Sequence, residues 1–159
     1  MNRTRLLIAL AVVLVVAGVV LGVDFWQRSR ATEIEPGSIP IYVNGRLRGT
    51  FLPGDLEALR KTSFVDAEEG KPQEGWLLRD VLLLHVNQDS LRPDSAVVVS
   101  SSSRGKSTAL TWAQIDDEEN MVMFDLSGRG TLKLVSKLPE FDQRDEWVQD
   151  VDRIEVNSP

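Results

Sequence analysis

Apolar residues fill Leu6–Val23 without a single polar or charged interruption. Beyond that block they thin into short alternating or periodic runs. As a helix, 18 residues span about 27 Å, close to the hydrocarbon thickness of a bilayer. The run has no polar face, so it suits lipid better than a packing site on a soluble domain. Ile39, Ile41 and Val43 then alternate, Asn44-Gly45 follows, and Leu47 and Phe51 resume. Asn-Gly between alternating runs predicts a β-hairpin. A two-residue loop would put Arg46 and Arg48 on the face of Ile39, Ile41 and Val43. Pairing Val43 with Leu47 keeps the apolar residues together, so a loop of odd length or a bulge beside Gly45 is expected.

Leu52, Leu56 and Leu59 follow at helical spacing, and Phe64-Val65 reads as a brief strand. Glu68–Glu74 reads as a polar loop. Trp76–Val86, apolar at 77, 78, 81, 82 and 84, predicts a wide-faced helix. Ala96–Val99 is a continuous apolar run, expected to be covered on both faces. Strands are predicted over Ser107–Leu110, Met121–Leu126 and Thr131–Val135. Thr111 with Gln114 forms a capping-box pattern opening a helical turn over 112–115. Pro139–Glu146 is loop-like. Trp147, Val148 and Val151 predict a helical turn, and Ile154 with Val156 a closing strand. Six to eight short strands with two or three short helices make an α+β domain, mixed and mostly β. The organisation expected is an anchor over 1–24, a linker over 25–38 containing Pro36-Gly37, and a folded domain over 39–157.

The anchor fixes a topology. Arg3, Arg5 and the amino terminus precede the apolar run, and Phe25 and Trp26 follow it at interfacial positions. The positive-inside rule then favours a single pass, N-in, with the C-terminal domain extracytoplasmic. A cleaved signal peptide is the rival, but its apolar region is usually shorter and ends in a small-x-small site. Contact with the membrane is assigned to residues 6–23.

Charge and cysteine content narrow the chemistry. The chain has 159 residues, 18 basic and 24 acidic, a formal charge of −6. Without residues 1–30, which hold four arginines and Asp24, 14 basic and 23 acidic side chains remain, a net of −9. No nucleic-acid partner is expected of such a surface. There is no cysteine, hence no disulfide, thiolate metal ligand or cysteine nucleophile. A single histidine, His85, excludes a multi-histidine metal centre; it lies near an apolar face and reads as a packed or rim residue.

Tyr42-Val43-Asn44-Gly45 with Gly49-Thr50, Glu74-Gly75-Trp76 before Leu78-Arg79-Asp80-Val81-Leu82, Val97-Val98-Val99-Ser100-Ser101, and the segment Trp147–Val156 occur in an informative order. That order resembles the oxidoreductase molybdopterin-binding domain family, the sulfite-oxidase-type fold. The resemblance spans most of residues 39–156 and implies that fold. Catalytic members of the family hold molybdenum through a pterin dithiolene and one protein cysteine. In the Cys-x-Glu-Gly-Trp pattern that cysteine falls where this chain has Pro72. No glycine- and lysine-rich pterin-binding loop is evident between Val135 and Trp147. The resemblance therefore supports the fold and undercuts the enzyme. Molybdopterin enters by resemblance only; no cofactor, metal site or catalytic residue is expected.

The best anion-binding candidate is Ser101, Ser102, Ser103, Arg104 and Lys106, with Arg129 as a second exposed cation in a Gly-Arg-Gly turn. A phosphate-cradling P-loop would need a further glycine. A solvated strand-to-strand turn is the competing reading. Asp116–Glu119 lacks the spacing and glycine of a calcium loop and reads as solvated. Trp76, Trp112 and Trp147 read as core. The expected function is a membrane-anchored extracytoplasmic binding or accessory module acting on an unidentified protein partner. The alternatives are a molybdopterin-dependent oxidoreductase and a pterin- or small-anion-binding protein.

The mature protein should keep Leu6–Val23. After alkaline extraction it should stay with the membrane pellet, and its N-terminal mass should include the apolar run. A soluble product starting near residue 24 would overturn the anchor.

Overall fold

Alternation and turn chemistry produce the strands, and the tertiary pairing decides where they stop. The computed structural model describes residues 34–159. The predicted anchor and most of the linker lie outside the described residues. Among those described, no helix is long and apolar enough to cross a membrane. Glu35–Pro159 forms one compact unit.

The strands are β1 (Ile39–Val43), β2 (Arg46–Phe51), β3 (Thr62–Val65), β4 (Pro72–Leu77), β5 (Ala96–Ser101), β6 (Lys106–Thr111), β7 (Met123–Leu126), β8 (Leu132–Val135), β9 (Val148–Gln149) and β10 (Arg153–Asn157). They form two five-stranded sheets, ordered β2-β1-β10-β5-β6 and β3-β4-β7-β8-β9. Every neighbouring pair is antiparallel except β1 and β10, where Ile41 pairs with Ile154 and Val43 with Val156 in parallel. Two short helices, α1 (Leu78–Leu83) and α2 (Trp112–Asp116), follow β4 and β6 directly. The molecule is mixed α+β, mostly β with short helices, as its patterning predicts. Its buried apolar side chains form one core cluster, with Ile41, Leu78, Leu134 and Ile154 fully enclosed.

The first hairpin departs from the expected register: its loop has two residues, and its bulge lies further along β2 than the position beside Gly45. Asn44 and Gly45 both take positive φ, 49° and 74°, which gives the two-residue turn that matches strand twist. Val43 pairs with Arg46, Tyr42 with Leu47, and Ile41 with Gly49. Arg48 is therefore the extra residue of a bulge, three positions beyond Gly45. The bulge returns Phe51 to the face of Ile39 and Ile41, while Leu47 joins Tyr42 on the opposite face. Leu47 is thus not part of the core face, contrary to the pattern-based pairing. The turn keeps its preferred geometry and the register is corrected further along.

Other boundaries also move. The helix expected over Trp76–Val86 begins only at Leu78. Trp76 pairs with Phe124 and Leu77 with Met123, so both belong to β4, and the loop expected over Glu68–Glu74 ends at Pro72. A buried strand running straight into a helix presents one apolar run, and periodicity alone does not divide it. In α1 the positions Leu78, Val81 and Leu82 are buried, as helical spacing requires. Residues 147–151 hold no helical turn: Val148 pairs with Leu134 and Gln149 with Lys133. Met121 has left-handed φ, 49°, which delays β7 to Met123. In β5, Val97, Val99 and Ser101 are buried while their neighbours are half-buried, so cover is complete on one face only. Thr111 and Gln114 form the predicted capping box around the start of α2, with reciprocal bonds of 3.2 and 2.8 Å.

Gly75 has no room for a side chain. A Cβ there would lie 1.7 Å from the Phe124 carbonyl oxygen on β7. Gly75→Ala should therefore cost at least about 3 kcal/mol, measured by urea unfolding of the full chain. A variant within about 0.5 kcal/mol of the parent would contradict the close approach of β4 and β7.

Candidate functional site

The serine loop joins β5 to β6, where chain reversal exposes amides and hydroxyls. Its donors already hold carboxylates of the chain itself. The Ser102 amide donates to Asp152 Oδ2 at 2.7 Å, and the Ser102 hydroxyl bonds the same oxygen. Ser101 is buried, its Oγ 3.2 Å from Ser103 Oγ. Arg104 and Arg129 do converge, but on Asp150: Arg104 Nε lies 2.6 Å from Oδ2 and Arg129 Nη2 3.3 Å from Oδ1. Thr131 Oγ1 donates to Asp150 Oδ1 at 2.7 Å. The Thr131 hydrogen bond, then Arg104, holds the Asp150 carboxyl below the usual carboxylate range. The serines and Arg129 are thus engaged in closing the fold.

A second polar assembly builds the neighbouring wall. Asp66 sits just after β3 and is buried. Its Oδ1 accepts the Glu69 amide at 2.7 Å, and its Oδ2 accepts Gln73 Nε2 at 3.0 Å and Arg144 Nη2 at 2.8 Å. Gln73 Oε1 in turn accepts Lys133 Nζ at 2.9 Å, and Lys133 pairs with Asp125 at 2.8 Å. Arg144 reaches Glu69 at 2.9 Å through its other terminal nitrogen. Lys133 and Arg144 both lie over the Trp147 ring, 4.9 and 5.5 Å from its centroid. The Arg144 hydrogen bond and the Glu69 amide hold the Asp66 carboxyl far below its ordinary value, against the opposing effect of burial.

Between these assemblies lies an open pocket of about 250 Å³, lined by Arg104, Lys106, Arg144, Asp145, Trp147 and Gln149. Lys106 Nζ bonds the Asp145 carbonyl oxygen, leaving it at the pocket wall. Two N–H groups of lining residues are buried without a partner: Arg144 Nε and Trp147 Nε1. Trp147 itself is 3 % exposed. A third such donor, Trp76 Nε1, lies outside the pocket lining, and all three nitrogens are closed to solvent, so they belong to the wall and not to the pocket's open face. Of the six residues expected from sequence, the pocket takes Arg104 and Lys106. Arg144, Trp147 and Gln149 were missed by pattern reasoning. The available signal was Arg144, the one cation within the acidic stretch Pro139–Glu146.

No protein-family model matches this chain, and no curated protein matches it. The donor set can still be set against the molybdenum centre that the sequence resemblance implies. The position of the expected thiolate, Pro72, is an exposed strand residue without a ligand atom, and the chain offers no other thiolate. Soft sulfur is what that centre requires of the protein, so these residues do not fit it. Asp117 in the acidic run caps the Glu119 amide, and Glu118 pairs with Arg79 at 2.8 Å. Among the described residues no group of three metal-ligating side chains assembles.

Asp66 gives the pocket wall a pH signature. Its folded-state pKa is depressed, so its contribution to stability is present above its ordinary value of 3.8 and is lost as pH falls through the folded value. Asp66→Asn should lower the thermal midpoint of the full chain at about pH 7. The gap to the parent should narrow progressively below about pH 4. A gap that is absent, or constant with pH, would show that the ion pair does not hold this wall.

Proposed function

We propose that this chain is a membrane-anchored extracytoplasmic binding module whose pocket at Arg104, Lys106, Arg144 and Trp147 takes a small organic anion. The sulfite-oxidase-type fold serves as its scaffold, and it acts by binding, without molybdenum turnover. The observation carrying this reading is the grouping of three cationic side chains, Arg104, Lys106 and Arg144, around one open pocket beside Trp147. Two of the three cations are compensated, Arg104 by Asp150 and Arg144 by Asp66 and Glu69. The pocket therefore draws its affinity from directed hydrogen bonds more than from net positive potential. An accessory role through protein contacts, the other reading of the sequence, rests on no comparable cluster among the described residues. His85 is not among the pocket's lining residues, so the histidine serves no proton transfer there.

Isothermal titration of the full chain in detergent micelles with inorganic phosphate, sulfate and succinate tests the reading. At least one anion should bind at a single saturable site. Lys106→Ala should weaken it about tenfold, the size of one charge-assisted hydrogen bond, and Trp147→Phe should weaken it by a lesser factor. Absence of saturable binding, or equal affinity in both variants and the parent, would overturn it.

A further inference from the structure

A second cavity lies at the other end of the first sheet. Val43 ends β1 beside Val156, near the end of β10, whereas the serine loop adjoins Arg153 at the start of β10. There Val43, Arg48, His85, Val86, Asn87 and Ser90 enclose about 260 Å³. Val43 and Val86 are buried and give the cavity an apolar lining.

Three local features assemble it. Arg48 is the bulge residue of β2, the position freed from regular pairing. Gly49 follows it, and a Cβ at Gly49 would lie 2.5 Å from His85 Nδ1. The missing side chain is what lets the imidazole rest against the strand, where it stacks on Phe51 at a centroid distance of 6.0 Å. His85 itself is set by the end of α1, its amide bonding the Leu82 carbonyl at 3.0 Å. Asn87 Oδ1 accepts the Asp89 amide at 3.1 Å, which leaves its NH₂ group to donate elsewhere. The Ser90 carbonyl accepts the Ser158 hydroxyl at 2.9 Å, which fixes the backbone beside the Ser90 hydroxyl. No carboxylate among the described residues lies within ion-pair distance of Arg48.

We propose that this cavity is a second, independent binding site for a small organic carboxylate, its head on Arg48 with the Asn87 and Ser90 donors and its short apolar body on Val43 and Val86. The guanidinium fork matches a carboxylate through two parallel hydrogen bonds. Burial holds His85 below its ordinary pKa, against the weaker pull of Asp55, so at neutral pH the ring is a neutral hydrogen-bonding wall. A phosphate dianion would meet one cation only. A monocarboxylate meets the same cation with half the charge and fills the apolar side.

The single histidine of the chain makes the test direct. The imidazole resonances of the full chain in detergent micelles are followed during titration with butyrate, acetate and inorganic phosphate. Butyrate should shift the His85 signals saturably. Acetate, lacking two methylene groups, should bind about tenfold more weakly. Phosphate should bind more weakly than butyrate. Arg48→Gln, a change at an exposed position, should weaken butyrate at least about tenfold, and Arg48→Lys should fall between the two. Lys106→Ala, in the other pocket, should leave the butyrate titration unchanged. The site is overturned by an absence of saturable shift, by an Arg48→Gln titration equal to the parent's, by phosphate binding as tightly as butyrate, or by loss of butyrate binding in Lys106→Ala.

Discussion

Asp66 is a carboxylate taken out of water, and much of the second sheet's outer edge is arranged around keeping it ionised. Burying a charge without partners costs several kcal/mol, so the chain must bring donors to it. It brings them from three places: the Glu69 amide from the following turn, Gln73 from β4 and Arg144 from a loop far along the chain. Arg144 has no secondary structure of its own to hold it. The ion pair, with Glu68 accepting the Arg144 amide at 2.9 Å, is what pins the segment before Trp147. Once pinned, that segment delivers Trp147 to the start of β9 and puts Arg144 over its ring. The basic pocket is thus a by-product of satisfying one buried acid.

The same logic runs through the first sheet. The chain is strongly acidic, yet its exposed loops carry clustered cations and hydroxyls. Asp150 and Asp152, in the turn between β9 and β10, supply the anions that those groups would otherwise seek from solvent. Asp150 adopts left-handed φ, 55°, a conformation that aspartate tolerates better than most residues. That turn releases β10 to insert between β1 and β5, so that the sheet closes with the last strand at its centre. Local motif reading sees an anion cradle in Ser101–Arg104; the tertiary structure shows that the cradle is occupied by the chain itself.

What could be read from sequence follows from how local each signal is. The Asn44-Gly45 turn, the Thr111/Gln114 cap and the alternating strands at 106–111, 132–135 and 153–157 depend on neighbours a few residues away. They were legible, and so was the α+β class. The division of Trp76–Val86 was not, because Trp76 and Leu77 owe their strand conformation to Phe124 and Met123. Nor was β9, two residues long and defined by its partners on β8. Arg104 and Lys106 were legible as exposed cations in a loop. Arg144 and Trp147 were not, since an arginine in an acidic loop acquires its meaning from Asp66, 78 residues away. Arg48 escaped for a related reason: the hairpin pattern requires a bulge but does not say which residue it extrudes.

An acidic domain is a poor place to attract anions at long range, and this bears on what its pockets can select. A net of −9 repels small anions until they come within a Debye length of a local cation. Diffuse binding to surface lysines and arginines is therefore suppressed over most of the surface. On the proposed reading, an anion is retained only where local donors converge. In one pocket that is a group of three cations beside Trp147; in the other it is a guanidinium with no carboxylate partner among the described residues, above an apolar lining. Selectivity then follows from shape and hydrogen-bond direction, since bulk charge opposes every anion alike. On the proposed reading the acidic surface and the basic pockets act together: the first removes the general affinity for anions, and the second restores it for those that fit.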